Sequence, residues 1–117
     1  MEGQEMKLND TQEALTIYTK MLEEVDNYAH SVFVTHEDYR HIDVEIGRTF
    51  PQLGEMMFSF ALTTDKSLAP LTFFNELTII GEAKYNHATG EVGIEIEKQY
   101  VRTFHVDIDG EVELIAA

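Results

Sequence analysis

The hydrophobic positions of this chain change period near His36. Before it, Ala14, Leu15, Tyr18, Met21, Leu22, Val25, Tyr28, Ala29 and Val32 recur at three- and four-residue steps, which is one apolar stripe of an α-helix. Thr16, Lys20, Glu23, Glu24 and Asn27 take the other side. Asp10 is placed to cap this helix, and Glu13 three residues later completes a capping-box pair. Residues 1–9 then read as a loose tail. Ser31 to Thr35 fit either a last turn or a first strand, and Glu23, Glu24 and Asp26, unfavourable near the negative end of a helix, point to one that runs on past His30.

After His36 the period is two. Ile42, Val44 and Ile46 alternate with His41, Asp43 and Glu45, the pattern of a half-buried strand. Met56, Phe58, Phe60 and Leu62 alternate with Met57, Ser59, Ala61 and Thr63. A loop over 50–54, holding Pro51 and Gly54, would set Ile46 opposite Phe58 and Val44 opposite Phe60, so the apolar faces agree. Leu53, Met56, Met57, Phe60 and Ala61 also fit helical spacing, with Pro51 in a first turn. Gly54 and the aromatic residues favour the strand. Residues 64–75, with Asp65, Lys66, Ser67 and Pro70, read as a connection. Strand patterns follow over 76–85, 91–108 and 111–116.

Two turns can be read in detail. A four-residue loop 87–90 pairs Asn86 with Glu91, Tyr85 with Val92 and Ala83 with Ile94, and Gly90 supplies the positive φ such loops need. At Ile108-Asp109-Gly110-Glu111 a two-residue turn would set Ile108 across from Glu111, the wrong face for every later residue. A three-residue loop 108–110 with Gly110 in the left-handed region pairs Val106 with Val112 and Phe104 with Leu114. Between these turns Ile94, Ile96, Tyr100, Phe104, Val106 and Ile108 share one parity. One long, bent strand is favoured over a tight hairpin at Lys98-Gln99. The fold class is therefore α+β: a single domain over 1–117, with one N-terminal amphipathic helix packed on a curved, mostly meander antiparallel sheet of about five strands.

Charge changes the picture most. The chain carries 22 acidic against 8 basic residues, a formal net charge of −14 in 117 residues. Repulsion of that size opposes a compact state, so the charge is expected to serve a purpose. It disfavours direct contact with nucleic acid or an anionic membrane and favours a basic protein partner. There is no cysteine, which excludes disulfides, thiolate metal sites and a Cys nucleophile and fits a reducing cytoplasm. No apolar run approaches the roughly 18 residues of a membrane span, and the acidic start of the chain lacks a signal-peptide core.

The same parity arithmetic puts Glu82, Glu91, Glu95, Glu97, Asp107, Glu111 and Glu113 on one outward sheet face, with Lys84 as its base. Glu82 would oppose Glu95 and Asp107 would oppose Glu111, both costly like-charge pairs. Glu82 and Glu95 would both be exposed, without the unlike environments that acid–base catalysis needs. His36 and His41, with Glu37 and Asp38 between them, match no zinc spacing, and His105 is expected to face Glu113. No Ser-His-Asp order, phosphate loop or dinucleotide fingerprint is present, so no catalytic residue, metal ligand or cofactor is assigned.

These patterns lead to two expectations. The first is a small acidic binding or inhibitor protein that docks a basic partner surface through those seven carboxylates. They would stand in for nucleic-acid phosphates, in the manner of phage anti-defence inhibitors or immunity proteins. The second is a small-molecule carrier or chaperone-like module, using an apolar concavity between helix and sheet lined from Met56, Met57, Phe58, Phe60, Phe73 and Phe74. A homo-oligomer is compatible with either.

Overall fold

The computed structural model describes residues 2–64 and 72–117, and the side chains of 11–64 and 73–117. Of the connection read over 64–75, residues 65–71, with Asp65, Lys66, Ser67 and Pro70, lie outside the described residues, whereas Thr64 ends one strand and 72–75 begin the next. Helix α1 (Glu2–Thr35) is followed by β1 (Tyr39–Phe50), a 3-10 turn (Pro51–Leu53), β2 (Glu55–Thr64), β3 (Thr72–Tyr85), β4 (Val92–Val106) and β5 (Val112–Ala116). The strands form one antiparallel meander in the order β1-β2-β3-β4-β5. The protein is an α+β fold.

Helix α1 spans 34 residues. It begins before Asp10, which therefore stands inside the helix and does not cap it. The backbone of 2–9, expected as a tail, continues the helix; Gln4 to Leu8 are mostly good helix formers, which lets it propagate. At the other end the helix does pass His30. The Thr35 hydroxyl and His36 Nδ1 each donate to the Val32 carbonyl at 2.7 Å, and the His36 amide donates to the Phe33 carbonyl at 3.1 Å. Carbonyls that a helix leaves without partners at its C-terminus are thus satisfied before β1 begins.

The buried row of α1 is Ile17, Met21, Val25 and Ala29, at four-residue steps. It lies on the four strand residues Met56, Phe58, Phe60 and Leu62 of β2 and on Leu77, Ile79 and Ala83 of β3. Tyr18, Leu22, Tyr28 and Val32 flank it. The predicted stripe was right in its middle and turned at its start, since Ile17 is buried whereas Leu15 is 64% exposed. Tyr28 meets Phe60 edge-on at 5.8 Å, and Phe60 stacks with Phe58 at 6.1 Å. These side chains fill the space between the middle of the helix and the sheet.

Register follows the hydrophobic pattern closely. Ile46 pairs with Phe58, Val44 with Phe60 and Ile42 with Leu62, so 55–64 is a strand and Pro51 opens only the 3-10 turn. The connection is one residue tighter than expected, and an irregularity at Gly47–Arg48 restores the register. Across β3 and β4, Tyr85 pairs with Val92, Ala83 with Ile94 and Gly81 with Ile96. Between β4 and β5, Val106 pairs with Val112 and Phe104 with Leu114, with Gly110 at φ 84°.

One feature was not foreseen. Gly81 pairs with Ile96, but Ile80 pairs with Lys98. Glu97 is an extra residue in β4, a β-bulge, and a bulge shifts the alternation of every residue after it. Ile94 and Ile96 face α1. Tyr100, Phe104 and Val106 face away from it, opposite Thr78, Phe74 and Thr72. The run 91–108 is one long strand, as expected, but its shared parity is split between two faces.

Candidate protein-docking face

The bulge at Glu97 divides the seven carboxylates. Glu82 and Glu95 sit directly opposite each other on the face away from α1, as expected, and Glu91 shares the parity of Glu95. Beyond the bulge the outward and helix-side parities exchange. His105 pairs with Glu113 and with Phe73, so Glu113 lies on the helix-side face of the sheet. Asp107 and Glu111, hydrogen-bonded through the Asp107 amide at 3.0 Å, share that face. Asp107, Glu111 and Glu113 therefore do not join Glu82, Glu91 and Glu95, and the single seven-residue acidic face is corrected to two separate groups. Glu97, as the bulge residue, has no cross-strand partner on β3.

The outer face has further acids that were not assigned to it. Asp43 pairs with Ala61, Glu45 with Ser59, Glu55 with Lys84 and Glu76 with Thr63. The signal for Asp43 and Glu45 was present, since they are the polar partners in the alternation 41–46. Lys84 Nζ meets Glu95 Oε2 at 2.8 Å, both side chains more than half exposed. Its hydrogen bond to Glu95, and then the charges of Glu95 and Glu82, raise the Lys84 pKa above the ordinary lysine value. The same contact, hydrogen bond first and charge second, lowers Glu95 below the ordinary carboxylate value. Lys84 thus holds one member of the like-charge pair, and among the described residues no ion pair includes Glu82.

Next to these acids the face is not purely polar. Met57, opposite Glu82, is 39% exposed. With Ile46, Gly47, Phe58, Ser59 and Ile80 it lines a shallow, mainly apolar hollow rimmed by Glu45 and Arg48. A Cβ at Gly47 would stand 3.6 Å from Met57 atoms, on the wall of that hollow. Further along, the charge reverses. Arg102 pairs with Glu76 and lies 5.3 Å from the Tyr100 ring centroid and 5.6 Å from that of Phe104, and Lys98 also lies over Tyr100. Phe74, stacked on Phe104 at 5.0 Å, is buried on this side, whereas Phe73 is 60% exposed on the other.

The histidines have local roles. His36 closes α1, His41 lies on the outer face of β1 opposite Thr63, and the His105 ring packs against Phe73 at 4.8 Å. His36 and His41 are not brought together as ligands, and among the described residues no three His, Asp or Glu converge on one point. No helix among the described residues is long and apolar enough to cross a membrane. No family model, curated protein or solved structure matches this chain.

Proposed function

We propose that this is an acidic binding protein that docks a basic protein partner through the outer face of β1–β4, occupying a surface that would otherwise contact nucleic-acid phosphates. The observation that carries the reading is the apolar hollow at Met57 and Ile80 beside Glu45, Glu82 and Glu95. An apolar centre with a charged rim is how interfaces divide their work: the centre supplies affinity, the rim orientation and association rate. The net charge of −14 adds long-range steering toward a positive surface.

A photo-crosslinking amino acid at position 57, with one at the exposed Thr16 of α1 as control, tests this in lysate of the source cells. Position 57 should capture a basic protein, and capture should fall as salt rises and with Glu45→Gln plus Glu82→Gln. That pair leaves the Lys84–Glu95 contact intact. Capture equal at both positions, or insensitive to salt and to the double substitution, refutes the proposal.

A further inference from the structure

The sheet outruns its helix. Its far end, formed by the start of β3, the end of β4 and all of β5, lies beyond the core row of α1, and every residue of β5 is exposed. β5 is also the last strand of the sheet, so among the described residues its outer edge pairs with nothing. Which main-chain groups lie free follows from the ladder. The Asp107 amide donates to the Glu111 carbonyl, so the main-chain groups of these two residues face each other, and in an antiparallel ladder such positions alternate with non-bonded ones. Val112 and Leu114, opposite Val106 and Phe104, are the non-bonded members, so their amides and carbonyls point away from β4.

The two sides of this edge differ in charge. On the helix side stand Asp107, Glu111 and Glu113, with His105 between β3 and β5. On the outer side Val112 and Leu114 are 57% and 50% exposed and continue onto Phe104, over which Arg102 lies. A strand added here meets carboxylates with one set of alternate side chains and apolar surface with the other. We infer that the β5 edge binds an extended segment of alternating basic and apolar residues by strand addition; this rests on the reading of the partner as basic. In strand addition the backbone bonds give affinity and the alternate side chains give specificity. A second copy of this chain fits poorly, because antiparallel pairing of two β5 strands centred on Val112 sets Glu111 of each against Glu113 of the other, like charge on like.

The probe is an end-blocked peptide of alternating Lys and Val, nine residues long. It is compared with the same peptide N-methylated at alternate amides and with an alternating Glu–Val peptide. Amide exchange followed by NMR should show the Val112 and Leu114 amides slowing at least about tenfold with the Lys–Val peptide alone. Val112→Pro removes an outward donor at the first residue of an edge strand, where proline is tolerated, and should weaken binding at least about tenfold. Glu111→Gln with Glu113→Gln should weaken it and flatten its salt dependence. Glu45→Gln with Glu82→Gln should leave it unchanged, which separates this site from the outer face. Slowed exchange at Val112 and Leu114 without any peptide would show a second copy on the edge and overturn the inference. Equal binding of the N-methylated or Glu–Val peptide, or protection confined to residues around Met57, would do the same.

Discussion

Gly81 shows how much one side chain can decide. A Cβ at this position would lie 2.6 Å from the Glu95 carbonyl oxygen and 2.8 Å from the Phe58 ring. Neither neighbour can give way easily, since one is backbone of the adjacent strand and the other a core ring beside Phe60. Gly81→Ala should therefore destabilise by about 1 to 3 kcal/mol, the usual cost of overpacking. Chemical denaturation of the two proteins checks this; an unchanged midpoint would mean that Phe58 repacks freely. The Lys84–Glu95 contact makes a second residue-scale prediction. Glu95 is held below its ordinary carboxylate value of 4.5, so its contribution is present above that pH and is lost as pH falls through the lowered value. Lys84 is raised, so its share is present below the ordinary lysine value and lost only as pH rises through the raised one. The stability difference between wild type and Lys84→Met should thus be constant near neutral pH and disappear in acid below 4.5. Melts across that range read it, and a difference that persists in strong acid would assign it to packing of the lysine stem instead.

At the scale of elements, α1 and β4 make opposite points about periodicity. The stripe of α1 was visible from residue spacing, yet which row of it would be central was not. Ile17, Met21, Val25 and Ala29 form that row because the flat surface of β2 and β3 selects one line of contact from a broad apolar arc. Met21→Ala, at 0% exposure, should cost about 2 to 5 kcal/mol. Leu15→Ala should change stability by no more than about 0.5 kcal/mol. Similar losses at both positions, measured by denaturation, would refute the assignment of the row. In β4 the alternation is regular in the sequence and broken in space. Glu97 carries no glycine, proline or turn signal that marks a bulge. The extra residue leaves the faces of β3 unchanged and turns those of β4, so that Val101 and Gln99 oppose Leu77 and Ile79 while Tyr100 and Phe104 stand on the outer face.

The whole molecule is long. Its radius of gyration is 18.8 Å, against about 13 Å for a compact domain near this size, and its extents are 66 × 26 × 20 Å. Helix α1 runs past the sheet at one end and the β3–β5 arm runs past the helix at the other. An elongated shape spreads a charge of −14 over more surface, which lowers self-repulsion. Some remains, as the Glu82–Glu95 opposition shows. Raising salt from about 0.01 M to about 1 M, which shortens the screening length from about 30 Å to about 3 Å, should therefore raise the melting temperature. The exposed Lys84–Glu95 contact weakens over the same range, but such pairs contribute little. A melting temperature that falls with salt would show attraction, and not repulsion, to dominate the fold's electrostatics.

The residues alone determined the order and type of the main elements, the registers of the last two hairpins, the Ile46–Phe58 and Val44–Phe60 pairs of the first, and the pairing of Glu82 with Glu95. Those features depend on short-range rules: period, turn chemistry and matching of apolar faces. Only the tertiary structure decided which acids share a surface. Counting parity along 91–108 put Glu95 with Glu113. The Glu97 bulge placed them on opposite faces, because a single unpaired residue reverses the alternation after it and leaves no mark on the pattern before it.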